Sequence, residues 1–313
     1  MITRPTVLVL GAGASVDYRF PTGRGLLLEI CKEGREGGSV YQFLRDRLSR
    51  DPAHTQKFAE TLERSFAPSV DRFLEENKQF EEIGKIAIAT TLIPYERFDA
   101  FTPSKTPGWY ETLFHLMVDG GHFQDNNLSI LTFNYDRSLE AFFFQALKNL
   151  YNVSNDIAEG MLNKIPIIHL YGSLGNSLVR KDLRRGYECE LRGNWVEEAA
   201  KNIRVVYDSH PGQEFDAAFH LLSAADEIIF LGFGFHPINI QRLQLPEAVE
   251  LHNSTISRGK SRQRWLACRY GMGEGEVARA KASLQGVNIA FAHNYLWDIN
   301  LYLKNTHCLI PSS

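Results

Sequence analysis

Pro5–Leu28 reads PTVLVLGAGASVDYRFPTGRGLLL, and the fold of the chain is predicted outward from this stretch. Residues Thr6–Leu10 form a short apolar run rich in β-branched side chains that stops at a glycine, which is typical of a buried parallel strand entering a tight loop. The loop Gly11–Ser15 holds two glycines and three other small residues. Because such a loop lets backbone N–H groups approach an anion closely, it predicts a nucleotide-binding turn at the start of an α/β sheet.

The spacing of this loop differs from the fingerprint of ordinary dinucleotide-dependent dehydrogenases. Gly11 and Gly13 supply G-x-G, but Val16 stands at the sixth position of G-x-G-x-x-G. No second strand ends in an acidic residue about 20 residues further on, because Glu29 falls in a predicted helix. Another kind of dinucleotide user is therefore favoured over an oxidoreductase, and an ordinary strand-to-helix turn remains the alternative for this loop taken alone.

Composition is that of an ordinary globular protein. Of the 313 residues, 44% are hydrophobic and 23% are charged, which suits one large domain with insertions or two domains. The formal net charge of −3 gives no general attraction to nucleic acid. A first basic cluster is interpreted as a solvated helix face and consists of Arg180, Lys181, Arg184 and Arg185. A second is interpreted as a loop that could touch phosphate or a partner and consists of Arg258, Lys260, Arg262 and Arg264.

Secretory, membrane and zinc-ribbon proteins are not expected. The first apolar run is too short for a secretory signal, and no segment reaches the roughly 18 apolar residues of a membrane span. The four cysteines are scattered and form no C-x-x-C pair, so neither a zinc site nor a disulfide framework is indicated. We expect a cytoplasmic protein with buried thiols.

Apolar periodicity predicts alternating strands and helices. Strands are expected at 6–10, 128–133, 166–170, 227–231, 264–270 and 287–292, and helices at 26–32, 82–94, 109–118, 137–150, 215–225, 274–284 and 295–304. The helical pattern between the first two strands covers roughly 100 residues, which is too long for a simple crossover. We therefore expect a single α/β domain over 1–313, with a Rossmann-like parallel sheet, a large helical insertion at about 25–125 and a smaller one at about 175–213.

Four of the predicted strands end in glycine-rich or polar tips. The tips read GAGAS (11–15), FNYD (133–136), HLYGS (169–173) and GFGF (232–235). In an open parallel sheet, ligands bind outside the carboxyl ends of the strands, so the four tips are expected to meet at one crevice.

The side chains at these tips suit chemistry on a ribose. Asn134 and Asp136 alternate along the strand end, so both are expected to face the crevice, where they could bind ribose hydroxyls or fix a water. His169 supplies a base near neutral pH and shares a strand face with Tyr171, so either could reach the crevice. The alternatives are that His169 is a satisfied core residue, that Asp136 only caps the following helix, and that GFGF is a simple turn.

The motifs together resemble a known family. The order of the motifs resembles that of the sirtuin-like NAD-consuming domain: GAGAS followed by Pro21, then TFNYD, then a histidine beside Gly-Ser, then LGFGF. The closer resemblance is to the bacterial anti-phage defence branch of that family. SVDRFL with Gly84-Lys85, and FHPIN at 235–239, are also similar to that branch. The resemblance covers nearly the whole chain.

This resemblance implies that NAD⁺ is bound and cleaved at the nicotinamide–ribose bond. It implies that the pyrophosphate is held by Gly11, Ala12, Gly13 and Ser15. Asn134 and Asp136 match the family's Asn-x-Asp at the nicotinamide ribose, with Asn134 catalytic. The adenosine side is assigned to Gly232, Gly234 and Phe235, and further cofactor contacts to Pro21, Tyr171, Gly172 and Ser173.

The chain departs from the family in two ways. It lacks the paired cysteines that hold zinc in deacylase sirtuins, so no zinc and no acyl-peptide clamp are expected. The family's catalytic histidine directly precedes the glycine, where this chain has Tyr171. The catalytic role is therefore assigned to His169, as general base on a ribose hydroxyl or on the water that Asn134 orients.

The function expected from these patterns is an NAD⁺ glycohydrolase that releases nicotinamide and ADP-ribose as the effector of a bacterial abortive-infection system. The alternatives are an NAD⁺ or ADP-ribose sensor without turnover, and ADP-ribosyl transfer or deacylation. Because a free-running enzyme of this kind would kill its host, the expected partners are further copies of the chain or a separate activating or inhibiting protein from the same operon. Neither nucleic acid nor membrane is expected as a partner.

Overall fold

The computed structural model describes residues 1–102, 106–179, 185–205, 212–255, 262–284, 286–306 and 308–309. Within these ranges six strands form one sheet: β1 (Thr6–Leu10), β2 (Leu128–Thr132), β3 (Ile167–His169), β4 (Glu227–Leu231), β5 (Arg264–Ala267) and β6 (Ile289–Phe291). Every neighbouring pair is parallel and the order is β3-β2-β1-β4-β5-β6. The α/β class and the Rossmann-like parallel sheet predicted from the sequence are confirmed.

Helices fill every connection between the strands. The β1–β2 connection contains α1 (Gly23–Glu33), α2 (Ser39–Leu48), α3 (Pro52–Arg64), α4 (Val70–Glu76), α5 (Glu81–Leu92) and α6 (Trp109–Val118). The β2–β3 and β3–β4 connections contain α7 (Ser138–Tyr151), α8 (Asn155–Leu162), α9 (Gly193–Asn202) and α10 (Gln213–Ala224). The remaining helices are α11 (Pro237–Arg242), α12 (Leu245–Thr255), α13 (Glu274–Ser283) and α14 (Ile299–Asn305). Parallel strands require such crossovers, since a hairpin cannot join them.

The chain reverses its direction across the sheet beside β1. It moves outward from β1 to β3 and then returns to place β4 on the other side of β1. Leu10 is paired in register with Thr132 on one side and Leu231 on the other, so the three carboxyl ends lie level. All residues of β1 and β4 are buried, which explains why both strands are apolar apart from their first residues, Thr6 and Glu227. This reversal is where an open α/β sheet leaves a crevice for a ligand.

The tips of β1 and β4 interlock through glycines. The Gly11 N–H donates to the Leu231 carbonyl at 3.1 Å and the Gly13 N–H to the Gly232 carbonyl at 3.0 Å. A Cβ on Gly11 would lie 2.6 Å from the Gly232 carbonyl oxygen, and one on Gly13 would lie 2.9 Å from it. Gly232 has a positive φ of 60°, and a Cβ there would overlap the backbone nitrogen of Ala14. Only residues without a side chain fit where these two loops meet.

The helical connection between β1 and β2 is anchored to the sheet and packed on its own core. Trp109, which is fully buried at the start of α6, donates its indole N–H to the Ala14 carbonyl at 2.8 Å. Ser69 caps α4, since its hydroxyl accepts from the Arg72 N–H at 3.2 Å. A Cβ on Gly84 of α5 would overlap the Leu74 side chain, so this glycine lets α4 and α5 approach closely.

A buried ion cluster ties three distant segments together. Glu96, which lies between α5 and α6, accepts from Arg137 Nε and Nη2, both at 2.9 Å, and also pairs with Arg185. Burial alone would raise the pKa of Glu96, but the two guanidinium groups outweigh it and lower that pKa. Arg185 is only 1% exposed, so its interpretation as part of a solvated helix face is wrong. The preceding members of that cluster, Arg180, Lys181 and Arg184, lie outside the described residues, as do Arg258 and Lys260.

Several element boundaries differ from the prediction for local reasons. The last helix begins at Ile299 rather than at 295 because the Asp298 carboxylate accepts from the Leu301 N–H at 2.7 Å and caps it. The segment expected to be a polar insertion contains α9, which packs against α5. None of the described helices has the length and apolar character needed to cross a membrane.

Replacing Gly232 with alanine is expected to destabilise the protein by about 3 kcal/mol or more, because the new methyl group meets backbone that cannot move aside and the φ is positive. Gly234 in the same tip is the matched control, since a Cβ there meets nothing within 4 Å. Urea unfolding of both variants measures the difference. Equal stabilities of Gly232→Ala and Gly234→Ala would contradict the interlock.

Candidate functional site

Residues from four strand ends line one cavity of about 310 Å³, referred to below as the first cavity. This volume lies within the range of roughly 300–1,000 Å³ that is usual for small-molecule sites. The strand ends contribute Gly11, Ala12, Phe133, Asn134, Tyr171, Phe233 and Gly234. The opposite wall comes from the start of α1, from α4 and from α11, and contains Gly23, Pro68, Ser69, Asp71, Arg72, Glu75, His236, Ile238, Asn239 and Arg242. The crevice that the sequence predicts is therefore present.

Asn134 has a fixed orientation and one unused oxygen. Its Nδ2 donates to the Gly11 carbonyl at 3.1 Å and to Ser15 Oγ at 3.0 Å. Because the carbonyl can only accept, these contacts determine which end of the amide is nitrogen. The residue is 8% exposed, and its Oδ1 is buried without a hydrogen-bond partner among the described residues. An unsatisfied buried oxygen costs about 1–3 kcal/mol, so a ligand or water that donates to it would be stabilised.

Asp136 lies beneath the loop and does not line the first cavity. Its carboxylate accepts from the Ser138 N–H at 3.1 Å and from the hydroxyls of Ser138 and Ser15. Burial raises the pKa of Asp136, and these hydrogen bonds only partly oppose the effect. The expectation that Asp136 faces the crevice beside Asn134 is wrong, because the carboxylate instead satisfies the first N–H group of α7.

Part of the glycine loop has a packing role instead of a cavity-lining one. Gly11 and Ala12 line the first cavity, whereas Gly13 and Ser15 do not. The N–H of Gly13 is used by the Gly232 carbonyl, and that of Ala14 by the Gly11 carbonyl at 2.9 Å. The two glycines are thus explained by the close approach of two loops, which the sequence alone did not reveal.

His169 lines a different cavity. This second cavity has a volume of about 580 Å³ and is also lined by Glu140 and Ser173. Nδ1 of His169 lies 2.8 Å from the Asn134 carbonyl oxygen and Nε2 lies 2.6 Å from Glu140 Oε1. Since both ring nitrogens face acceptors, the doubly protonated imidazolium fits best.

The charge state of His169 argues against its predicted role as base. Burial by itself would lower the pKa of this ring, but the Glu140 carboxylate and the Asn134 carbonyl outweigh it and raise the pKa. An imidazolium has no lone pair with which to accept a proton. Either His169 or Tyr171 could have reached the crevice from this strand face. Tyr171 is the one that lines the first cavity, so placing His169 there as the catalytic residue is wrong.

Tyr171 occupies the first cavity as a neutral phenol held on two sides. Its hydroxyl donates to Asn239 Oδ1 at 2.6 Å and accepts from Arg242 Nη1 at 2.7 Å. Burial raises the pKa of this phenol. The residues that follow it lie elsewhere: Gly172 has a φ of 75° and abuts the Asn202 carbonyl, and Ser173 lines the second cavity.

Two arginines in the wall of the first cavity were not singled out from the sequence. Arg72 Nη1 and Arg242 Nη1 each lie 2.9 Å from the carboxylate of Glu75, which they share. Asp71 beside them accepts from the Tyr135 hydroxyl, and burial raises the pKa of its carboxyl. Arg72 also pairs with Glu76 through Nη2 at 2.5 Å, so the two guanidinium groups are balanced by two carboxylates. What they offer an anion such as a pyrophosphate is charged N–H donors in the wall of the first cavity. The motif SVDRFL contained one of them, but only the fold brings Arg242 to it.

The last tip presents residues other than those predicted. Gly234 lines the first cavity, whereas Gly232 packs against the loop of β1 and Phe235 is buried. The Phe235 ring contacts Phe230, Phe233 and Phe291, with centroids 5.1–5.3 Å apart. The prediction that Phe235 lines the adenosine side is therefore wrong in this structure. Pro21 lines neither cavity. Among the described residues, no group of three or more His, Cys, Asp or Glu side chains could hold a metal ion.

The Glu140→Gln variant is expected to be less stable than the wild type by about 2 kcal/mol at low pH, because it removes the charged partner of His169. The folded-state pKa of His169 is raised, so this contribution is fully present below the ordinary histidine pKa of about 6.5 and is lost as the pH rises through the folded value. Urea unfolding between about pH 5.5 and pH 9 measures it. A difference that does not shrink with rising pH would contradict the imidazolium.

Comparison with known proteins adds no family assignment. No protein-family model matches the chain, and no curated protein sequence matches it.

Proposed function

We propose that the chain is an NAD⁺ glycohydrolase and that NAD⁺ binds in the first cavity as a substrate. The observation that carries the proposal is Asn134, which is immobilised at the meeting point of the β1 and β2 ends with an unsatisfied amide oxygen. Its position within FNYD is also the position that the sirtuin-like resemblance implies for the catalytic asparagine. The sheet reversal beside β1 supports a dinucleotide at the same place.

Different residues of the first cavity serve the binding and the cleavage of NAD⁺ in this proposal. Oδ1 of Asn134 accepts a hydrogen bond from a ribose hydroxyl or from the attacking water, and its fixed orientation avoids reorganisation during the reaction. Arg72 and Arg242, which line the first cavity, provide charged N–H donors for the pyrophosphate. Ala12 and Gly234 leave the backbone of the β1 and β4 ends open to close approach.

Binding without turnover is the second candidate, and Tyr171 favours it. This residue stands where the resemblance implies a catalytic histidine, and its phenol is engaged by Asn239 and Arg242. Because its pKa is raised, the phenol cannot accept a proton near neutral pH. A chain that has lost the base would still bind NAD⁺ or ADP-ribose and could act as a sensor. Nicotinamide release distinguishes the two functions.

The cellular part of the proposal follows from the resemblance to the anti-phage branch. We propose an effector that depletes NAD⁺ in an infected cell and is otherwise held inactive by its assembly or by an operon partner. The physical reason is that unregulated hydrolysis of NAD⁺ would kill the host.

The Asn134→Ala variant is expected to release nicotinamide about 10²–10³-fold more slowly than wild type, because an oriented polar group at the reacting centre is lost. The rate is measured on chain mixed with its genomic neighbours, by chromatography of nicotinamide and ADP-ribose. Asn149→Ala, at an exposed position of α7, is the matched control. Turnover by Asn134→Ala at the wild-type rate would refute the assignment, and NAD⁺ binding without any nicotinamide would favour the sensor.

Cells that carry the gene alone are expected to keep their NAD⁺, and those that carry the whole operon are expected to lose it after phage infection. Total NAD⁺ in extracts measures both, with Asn134→Ala as the inactive control. Constitutive loss of NAD⁺ in cells with the gene alone would contradict an off state.

A further inference from the structure

The proposed reaction needs a proton acceptor in the first cavity, and most of its titratable residues are already engaged. The described titratable residues of the cavity are Asp71, Arg72, Glu75, Tyr171, His236 and Arg242. The two arginines stay protonated, and Glu75 is bound by both of them. Asp71 is bound by the Tyr135 hydroxyl, and Tyr171 is a neutral phenol. His236 is the remaining candidate in the described part of the chain.

The backbone before His236 is strained in a way that directs this residue over the cavity. Phe235 has a φ of 52°, a left-handed conformation that residues with a bulky side chain seldom adopt. Its ring is 4% exposed and is held by the phenyl groups of Phe230, Phe233 and Phe291. Strain of this kind costs about 1–3 kcal/mol and persists where the surrounding packing enforces it, often at functional sites. Here it lets the Phe235 ring stay in the core while Gly234 and His236 both line the cavity.

Burial and the charges around His236 keep its ring neutral. Burial lowers its pKa most, and the positive charges of Arg72 and Arg242 lower it further, while Glu75 opposes them. Asp71 is the other acidic residue of that wall, and its raised pKa favours the uncharged acid. The ring is half-buried and makes no hydrogen bond to the described residues, so a lone pair is available to a ligand or water.

We infer that His236 is the general base of the first cavity and removes a proton from the water that attacks NAD⁺. The inference rests on the proposed hydrolysis. The water oxygen bonds to C1′ of the nicotinamide ribose while the bond from C1′ to the pyridinium nitrogen breaks. The bonding pair passes to that nitrogen and cancels its charge, so neutral nicotinamide leaves. His236 receives the water proton and later releases it to solvent, which balances the reaction.

The test compares His236→Gln with His169→Gln and with His220→Gln, the exposed histidine of α10 as the matched control. We expect His236→Gln to lower kcat by about 10²–10⁴-fold, with KM for NAD⁺ little changed and the acidic limb of the kcat–pH profile removed. His220→Gln is expected to behave as wild type, and His169→Gln is expected to keep the acidic limb. Thermal unfolding checks that each variant is folded.

Chemical rescue separates a base from a structural side chain. Imidazole added to His236→Ala is expected to restore nicotinamide release, because the small base can enter the vacated space, and it is expected to leave His169→Ala unchanged. Wild-type rates in His236→Gln, or loss of the acidic limb in His169→Gln instead, would overturn the inference while leaving the glycohydrolase in place. Absence of nicotinamide release from wild-type chain with its genomic neighbours would overturn the proposed function and the inference together.

Discussion

The contact between the glycine loop of β1 and the first glycine of the β4 tip is the constraint on which the candidate site depends. Gly11, Gly13 and Gly232 allow two loop backbones to hydrogen-bond where any Cβ would collide. The sheet reversal makes β1 and β4 neighbours, and this contact holds their ends together beyond the last ladder pair. Because the two loops are hydrogen-bonded to each other, Ala12 and Gly234 can line one wall of the first cavity, while the helical connection and α11 line the other. The loop thus positions the cavity through packing as well as through its backbone.

Behind that wall lies a chain of polar groups that leaves one oxygen unused. Asn134 donates to Ser15, Ser15 to Asp136, and Asp136 also accepts from Ser138, whose hydroxyl pairs with Tyr110 at 2.7 Å. A buried network in which every polar group is hydrogen-bonded is rigid, because breaking one hydrogen bond leaves its partners unpaired in a medium of low dielectric constant. Rigidity here serves to orient the Asn134 amide. The unsatisfied Oδ1 is the exception that a bound ribose or water would remove.

Burial lowers the pKa of both histidines near the strand ends, and the opposite charges of their neighbours then separate them. His169 lies against the Glu140 carboxylate and holds its proton, whereas His236 lies in a wall with two arginines and gives its proton up. Environments that push the pKa values of similar groups apart are how proteins assign acid and base roles. His169 also touches the Asn134 carbonyl, so its charge contributes to positioning the asparagine without entering the first cavity.

The sequence by itself determined β1, β4 and α6 to the residue. A fully buried parallel strand is apolar along nearly its whole length, and an amphipathic helix has a regular apolar period. It also identified the four tips, since parallel strands end at one edge. Only the tertiary structure decided which tip residues face the cavity. Glu140 hydrogen-bonds to His169, which is 29 residues away in the sequence, and Glu96 pairs with the buried Arg185, which is 89 residues away. Such long-range contacts override the alternation of a strand end or the polarity of a charge run, because buried charges and amides turn towards whichever partner the packing supplies.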